Sequence, residues 1–82
     1  MPPSPAQIAQ AIQALLQARG PDKSVCPSDV ARLLAPDGWR PLMEPVRAVA
    51  RELVTQGKLR ITQKGKDVDP ASVRGAIRLR LP

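Results

Sequence analysis

The chain has 82 residues, enough for one hydrophobic core and not for two, so we predict a single domain over residues 1–82, with residues 1–4 as a flexible tail. A formal net charge of +6 and a sequence pI near 10.8 favour a polyanionic partner. The chain has no histidine, one cysteine and no apolar run near the roughly 20 residues that cross a bilayer. This composition argues against zinc sites, an internal disulfide and a membrane span.

The first predicted helix covers about residues 5 to 19. Ser4 is suited to be its N-cap, Pro5 its first residue, and Gln7 the partner of Ser4 in a capping box. Apolar residues then recur at helical spacing until Gly20 and Pro21 end the pattern.

The second helix is predicted to begin at Pro27 and to end near Pro36, with Asp29 in its first turn complementing the helix dipole. The residues expected to face the core are Val30, Leu33 and Leu34. Val25, just before this helix, is predicted to form a brief strand or a hydrophobic staple.

The third helix is predicted over about residues 45 to 56. Pro45 removes one backbone donor, so Pro41 to Glu44 is expected to form a separate turn. Gly57 is expected to cap the helix. Residues at spacings of three and four share one exposed edge, which consists of Glu44, Arg47, Arg51 and Thr55.

The last third of the chain changes from a helical period to a period of two. Residues 58–82 hold seven of the 13 cations and two of the seven acids, so their net charge is +5. Leu59 and Ile61 alternate with Lys58, Arg60 and Thr62, and Ile77, Leu79 and Leu81 alternate with Arg78 and Arg80. This predicts two half-buried strands with an aliphatic inner face and a basic outer face. The stretch KGKDVDPASVRG between them is predicted to be a polar loop, too long for a tight hairpin.

The order of elements predicts an α+β fold, a winged helix-turn-helix in which three helices precede a two-stranded β-hairpin wing over residues 58–81. The runs KSVCPSDVAR, WRPLM, VRAVARELV, ITQKGK, VDP and GAIRLRL resemble a family of small bacterial proteins that is classed among winged helices and described as of unknown function. The likeness covers residues 8–82. It implies the fold and supplies no activity or functional residue.

The predicted nucleic-acid-binding site combines the exposed edge of the third helix with the basic face of the wing. The cations of the third helix could bind phosphates or guanine edges. The lysines at the wing tip could contact the DNA backbone or a minor groove. The candidate residues are Arg47, Arg51, Thr55, Lys58, Arg60, Lys64, Lys66, Arg78 and Arg80. Two other interpretations stay open: a solvated strand edge guarded by cations, and surface ion pairs of Glu44 with Arg47 or Arg40.

The remaining candidate residues argue against single-strand binding and against catalysis. Trp39 is the only aromatic residue, which argues against stacking on the bases of single strands, and it is predicted to cover the core as a lid. Cys26 lacks a histidine base and a second cysteine, so we interpret it as a small buried residue or weak cap. Asp67 and Asp69 fit a turn. We predict no enzymatic activity, no metal, no cofactor and no small-molecule substrate.

The sequence therefore predicts a DNA-binding protein, a small transcriptional regulator or nucleoid-type binder, whose partner is double-stranded DNA contacted mainly through its phosphate backbone. Sequence-specific base contacts are less favoured, since Ala48 is at the middle of the exposed helix edge. The alternative is a protein-interaction or dimerisation module with no nucleic-acid binding, and a homodimer stays open in either case. The start MPPSPAQ is unlike a signal peptide, so a cytoplasmic location is expected.

Overall fold

A computed structural model describes residues 2–82 and contains three α-helices and one four-stranded antiparallel sheet. The predicted α+β class is confirmed. Of the tail predicted at residues 1–4, Met1 lies outside the described residues, and Ser4 is held by the first helix. No helix within residues 2–82 combines the length and the apolar character that a membrane crossing requires.

The first helix, α1, spans Pro5–Arg19, as predicted. The Ser4 hydroxyl accepts a hydrogen bond from the Gln7 N–H at 3.1 Å, and the Gln7 side-chain oxygen accepts one from the Ser4 N–H at 2.7 Å. These two bonds form the predicted capping box and satisfy two backbone donors at the helix start, an arrangement worth about 1 kcal/mol. The buried stripe of the helix is Ile8, Ile12 and Leu16.

The second helix, α2, spans Pro27–Leu34 and ends two residues before Pro36. Val30 and Ala31 are buried and Leu34 packs against the core, but Leu33 is 56% exposed. The prediction that Leu33 faces inward is wrong. The core-facing positions follow the spacing 27, 30, 31, 34, and residue 33 falls outside that narrow stripe.

The third helix, α3, spans Met43–Thr55 and follows a 3₁₀ turn at Arg40–Leu42. The predicted separate turn is present, although the helix begins two residues earlier than expected. Pro45 is its third residue, where the missing N–H has no intrahelical acceptor in any case. Val46, Ala50 and Leu53 are the buried residues of α3.

The sheet has four strands where the sequence predicted a two-stranded hairpin. They are β1 (Ser24–Val25), β2 (Arg60–Gln63), β3 (Lys66–Asp67) and β4 (Arg78–Arg80), in the order β1-β4-β2-β3. The short strand expected at Val25 is present, since Val25 pairs with Leu79 of β4.

The extra strand β3 arises from a tight turn inside the segment that was predicted to be a long loop. Gln63 pairs with Lys66, which leaves Lys64 and Gly65 as a two-residue turn. Their φ angles are 54° and 80°, and positive φ at both central positions is what a type I′ hairpin turn requires. Residues 68–77 then connect β3 to β4.

The core lies between the three helices and the inner face of the sheet. Ile8, Ile12, Leu16, Val25, Val30, Val46 and Leu79 are its largest fully buried side chains. Thr62, which alternation placed on the outer face, is only 2% exposed. It sits in a central strand directly opposite Arg78 on one side and Asp67 on the other, and these longer residues flank it.

Candidate nucleic-acid interface

The outer face of the sheet places two arginines directly opposite each other, Arg60 on β2 and Arg80 on β4. Like charges at opposed positions are unfavourable, and here the two side chains turn to opposite sides. Arg60 donates to the Asp67 carboxylate from Nη2 at 2.8 Å and from Nε at 3.1 Å. Arg80 donates to the Asp22 carbonyl at 3.4 Å. The charge of Arg60 is therefore neutralised by an acid, and that of Arg80 is not.

Arg78 is the most firmly held cation of this face. It donates to the Ser24 hydroxyl at 2.9 Å, to the Ser24 carbonyl at 3.1 Å and to Cys26 Sγ at 2.7 Å. None of these acceptors is a carboxylate, so the side chain is positioned while its charge stays uncompensated. Three of its five N–H donors are used, which leaves two for an external acceptor. A cavity of about 400 Å³, lined in part by Lys64 and Gln63, lies beside it.

Lys64 and Lys66 flank the tip of the β2–β3 hairpin and are exposed. Within residues 2–82 neither lysine takes part in a salt bridge or a side-chain hydrogen bond. The tight turn fixes where the two backbones sit, and the flexible side chains project from a rigid base. This arrangement presents two exposed cations at the hairpin tip, and Lys64 lines the same cavity as Arg78.

The connection between β3 and β4 is pinned against the sheet and α3. Gln63 donates from Nε2 to the carbonyls of Arg74 at 2.7 Å and Ala76 at 3.1 Å. Arg47 of α3 donates to the Gly75 carbonyl at 3.3 Å. These bonds bring the backbone of residue 74 next to α3. Arg74 was not a predicted site residue; its place among the cations of the last third was the available signal.

The ion pair found on the exposed edge of α3 is not one of the pairs considered from the sequence. Glu44 pairs with Arg51, two turns along, at 3.7 Å. The pairs of Glu44 with Arg47 or Arg40, which the sequence left open as an alternative, are absent from the described residues, because Arg47 binds the Gly75 carbonyl and Arg40 stacks on an aromatic ring. Thr55 donates its hydroxyl to the Arg51 carbonyl at 3.2 Å. Arg51 and Thr55 are thus both occupied within their own helix.

Lys58 lies outside the strand in which it was predicted. β2 begins at Arg60, and Lys58 belongs to the turn that ends α3, where its N–H donates to the Leu53 carbonyl at 2.9 Å. The Lys58 carbonyl accepts from the Gln13 side chain at 3.1 Å, and the residue lines a groove between α1 and α3. Lys58 is therefore apart from the other wing cations.

Trp39 packs against the core beside two further cations. The guanidinium carbons of Arg32 and Arg40 lie 4.4 and 4.9 Å from the centre of its ring, distances suited to cation–π attraction. The ring is half-buried and contacts core residues, in agreement with its prediction as a core lid. Composition alone gave no reason to pair Arg32 with this ring.

Cys26 is the N-cap of α2, and its N–H donates to the Asp29 carboxylate at 2.9 Å. Asp29 is also within 3.6 Å of the Arg19 guanidinium, so this cap joins α1 to α2. Residues 2–82 contain no group of three histidine, cysteine, aspartate or glutamate side chains placed to hold a metal ion.

Comparison with known proteins places the chain in a family. Residues 5–82 match the family model described as "Protein of unknown function (DUF3253)". Because the match covers nearly the whole chain, the protein belongs to this family, and the resemblance to a family of unknown function is confirmed. No curated protein matches the chain.

Proposed function

We propose that this protein is a winged helix-turn-helix DNA-binding protein, a small regulator or nucleoid-type binder that contacts mainly the phosphate backbone of a duplex. In this proposal α2 is the supporting helix, α3 the recognition helix, and the β2–β3 hairpin with β4 forms the wing. The order of helices and strands supports the fold, with β1 between α1 and α2 pairing with the last strand.

One observation carries the proposal: most of the candidate cations are not neutralised by an acid. Arg51 pairs with Glu44 and Arg60 with Asp67. On the sheet, on the β3–β4 connection and at the α3 residue that contacts this connection, the cations without a carboxylate partner among residues 2–82 are Arg47, Lys64, Lys66, Arg74, Arg78 and Arg80. We call these six residues the basic face. The guanidinium groups of Arg78 and Arg47 are held in place by neutral acceptors, so their charge stays available to phosphate oxygens. A surface that only faces solvent would not require arginines held in this way.

Backbone contacts are favoured over base reading. Arg51 and Thr55, two of the α3 residues proposed to contact a duplex, make an ion pair and a hydrogen bond within α3. Ala48, between them and the helix start, offers no polar atom. Single-stranded partners are disfavoured because Trp39, the only aromatic residue, is engaged by the core and by two arginines.

The test is a fluorescence-anisotropy titration with a random-sequence duplex at two salt concentrations. If about four phosphates are contacted, the affinity falls roughly 150-fold between about 50 and 200 mM salt. Replacing Lys64 and Lys66 together by alanine removes two contacts, and the fall shrinks to roughly 12-fold. A single variant supplies the comparison: Lys64→Ala lowers the logarithmic salt slope by about 0.9, half of the change expected for the double variant.

Absence of binding at low salt overturns the proposed function. If the double variant binds with an unchanged salt slope, the partner is still a polyanion but the hairpin tip is not part of the interface.

A further inference from the structure

A groove between α1 and α3 lies apart from the hairpin tip and from the cavity beside Arg78. Its volume is about 450 Å³. The apolar side chains that line it are Pro5, Ala6, Ala9, Ala48, Val49 and Leu53. Small residues at most of these positions allow the surface of another protein to approach the two helix backbones closely.

The groove is electrically neutral, which is unusual for this protein. α1 carries no charged side chain before Arg19. The two charged residues that line the groove are Glu52 of α3 and Lys58 just after it. Neither takes part in a salt bridge within residues 2–82. One acid and one base therefore flank an apolar floor in a chain whose net charge is +6.

We propose that this groove binds the same groove of a second copy, forming a two-fold homodimer in which Glu52 of each subunit faces Lys58 of the other. A two-fold interface brings the same patch from both sides, so a patch with one positive and one negative residue complements itself. Contact through the basic face would instead set like charges against each other, which disfavours association.

Three features favour a homodimer formed through this groove. In a two-fold dimer the acidic Glu52 of each subunit lies opposite the basic Lys58 of the other, so a second copy supplies the complementary charges. Pairing through the sheet edges is poorly supported, since β1 and β3 have two residues each. A domain of 82 residues also buries a smaller fraction of its surface than a larger domain does, so added apolar burial stabilises it.

The homodimer is proposed independently of DNA binding, although its groove shares Ala48 with the exposed edge of α3. The hairpin-tip lysines Lys64 and Lys66 belong to another part of the molecule and are not among the residues that line the groove. A dimer formed through α1 and α3 presents two copies of those lysines at once.

The experiment is sedimentation equilibrium on the full chain from about 1 μM to about 1 mM, the range over which weak association becomes visible. The expected result is a monomer–dimer equilibrium. Glu52→Lys places lysine against Lys58 of the partner subunit, and Lys58→Glu places glutamate against glutamate; each raises the dimer Kd at least about tenfold, equal to about 1.4 kcal/mol. An equimolar mixture of the two variants restores dimers, because every facing pair is then of opposite sign.

Matched controls carry the same charge changes elsewhere. Glu44→Lys and Lys66→Glu alter the net charge identically and leave the dimer Kd within about twofold, since neither residue lines the groove. Circular dichroism of each variant verifies that the fold is kept. A wild-type chain that stays monomeric over the whole range, or two groove variants that fail to associate when mixed, overturns the proposal.

Discussion

Arg60 and Arg78 lie on the same sheet and differ in what their guanidinium groups touch. Arg60 is 2.8 Å from a carboxylate oxygen of Asp67, while Arg78 touches a hydroxyl, a carbonyl and a sulfur. A phosphate that approaches Arg60 has to compete with Asp67, and one that approaches Arg78 does not. The contribution of each cation to a polyanion partner therefore depends on its neighbours more than on its type.

Replacing Asp67 by asparagine tests this difference. The variant frees Arg60, so we expect tighter duplex binding and a logarithmic salt slope steeper by about 0.9. Loss of this exposed pair lowers the free energy of unfolding by less than about 1 kcal/mol. Asp37→Asn is the control, since it changes the net charge equally and Asp37 makes no salt bridge within residues 2–82. Equal slopes for the two variants in anisotropy titrations would show that Asp67 does not occupy Arg60.

At the scale of elements, the side chains of Gln63 and Arg47 both hold the connection between β3 and β4. Gln63 of β2 donates to two of its carbonyls, those of Arg74 and Ala76. The connection has no strand or helix of its own over residues 68–77, so these bonds, the Arg47 bond to Gly75 and the packing of Val73 on the core hold it in place. Its position in turn determines where Arg74 lies relative to α3.

We expect Gln63→Ala to release this connection without unfolding the protein. Trypsin needs a locally extended chain, so cleavage after Arg74 should accelerate about fivefold or more, the effect of losing about 1 kcal/mol of local stability. The control is Gln56→Ala, which removes the same side chain at the end of α3, where it bonds only Glu52. The measurement is the rate of appearance of the new fragments by mass spectrometry. Equal rates in both variants would contradict a pinning role for Gln63.

The elements that were predictable are those fixed by neighbouring residues. The limits of α1 follow from Ser4, Gln7 and Gly20, all within a turn of the helix ends. The β2–β3 hairpin was missed because its first turn residue is Lys64, and lysine rarely adopts the positive φ of 54° found there. Asparagine at that position, followed by Gly65, would have signalled the turn.

The candidate site was predictable in composition and not in its contacts. The cations of the last third were visible in the sequence, but their partners are distant along it. Arg78 binds Ser24, 54 residues away, and Arg47 binds Gly75, 28 residues away. Such tertiary contacts position Arg78 and Arg47 on neutral acceptors, whereas the two neutralised cations of the candidate site, Arg51 and Arg60, pair with acids only seven residues away.

The whole molecule depends on a small core in which β4 is central. Leu79 of β4 is completely buried, with Val25 on one neighbouring strand and Ile61 on the other. A domain of this size has a total stability on the order of 5 to 10 kcal/mol, so one large cavity removes a substantial part of it.

Leu79→Ala should lower the free energy of unfolding by about 3 kcal/mol, because it leaves a cavity that the sheet cannot collapse to fill. Leu33→Ala makes the same chemical change at a residue that is 56% exposed, and should change stability by less than about 0.5 kcal/mol. Urea denaturation followed by circular dichroism measures both. Similar losses for the two variants would contradict the central place of Leu79 in the core.

The pairing of Ser24 with Arg80 has a consequence for how the protein folds. β1 and β4 are separated in the sequence by α2, α3 and the β2–β3 hairpin. Their pairing closes a long loop, so we expect it to form late and slowly during folding. The sheet is complete only when the chain from Ser24 to Arg80 has folded. The domain is therefore expected to unfold in one cooperative step, with the fluorescence of Trp39 and the helical signal lost together.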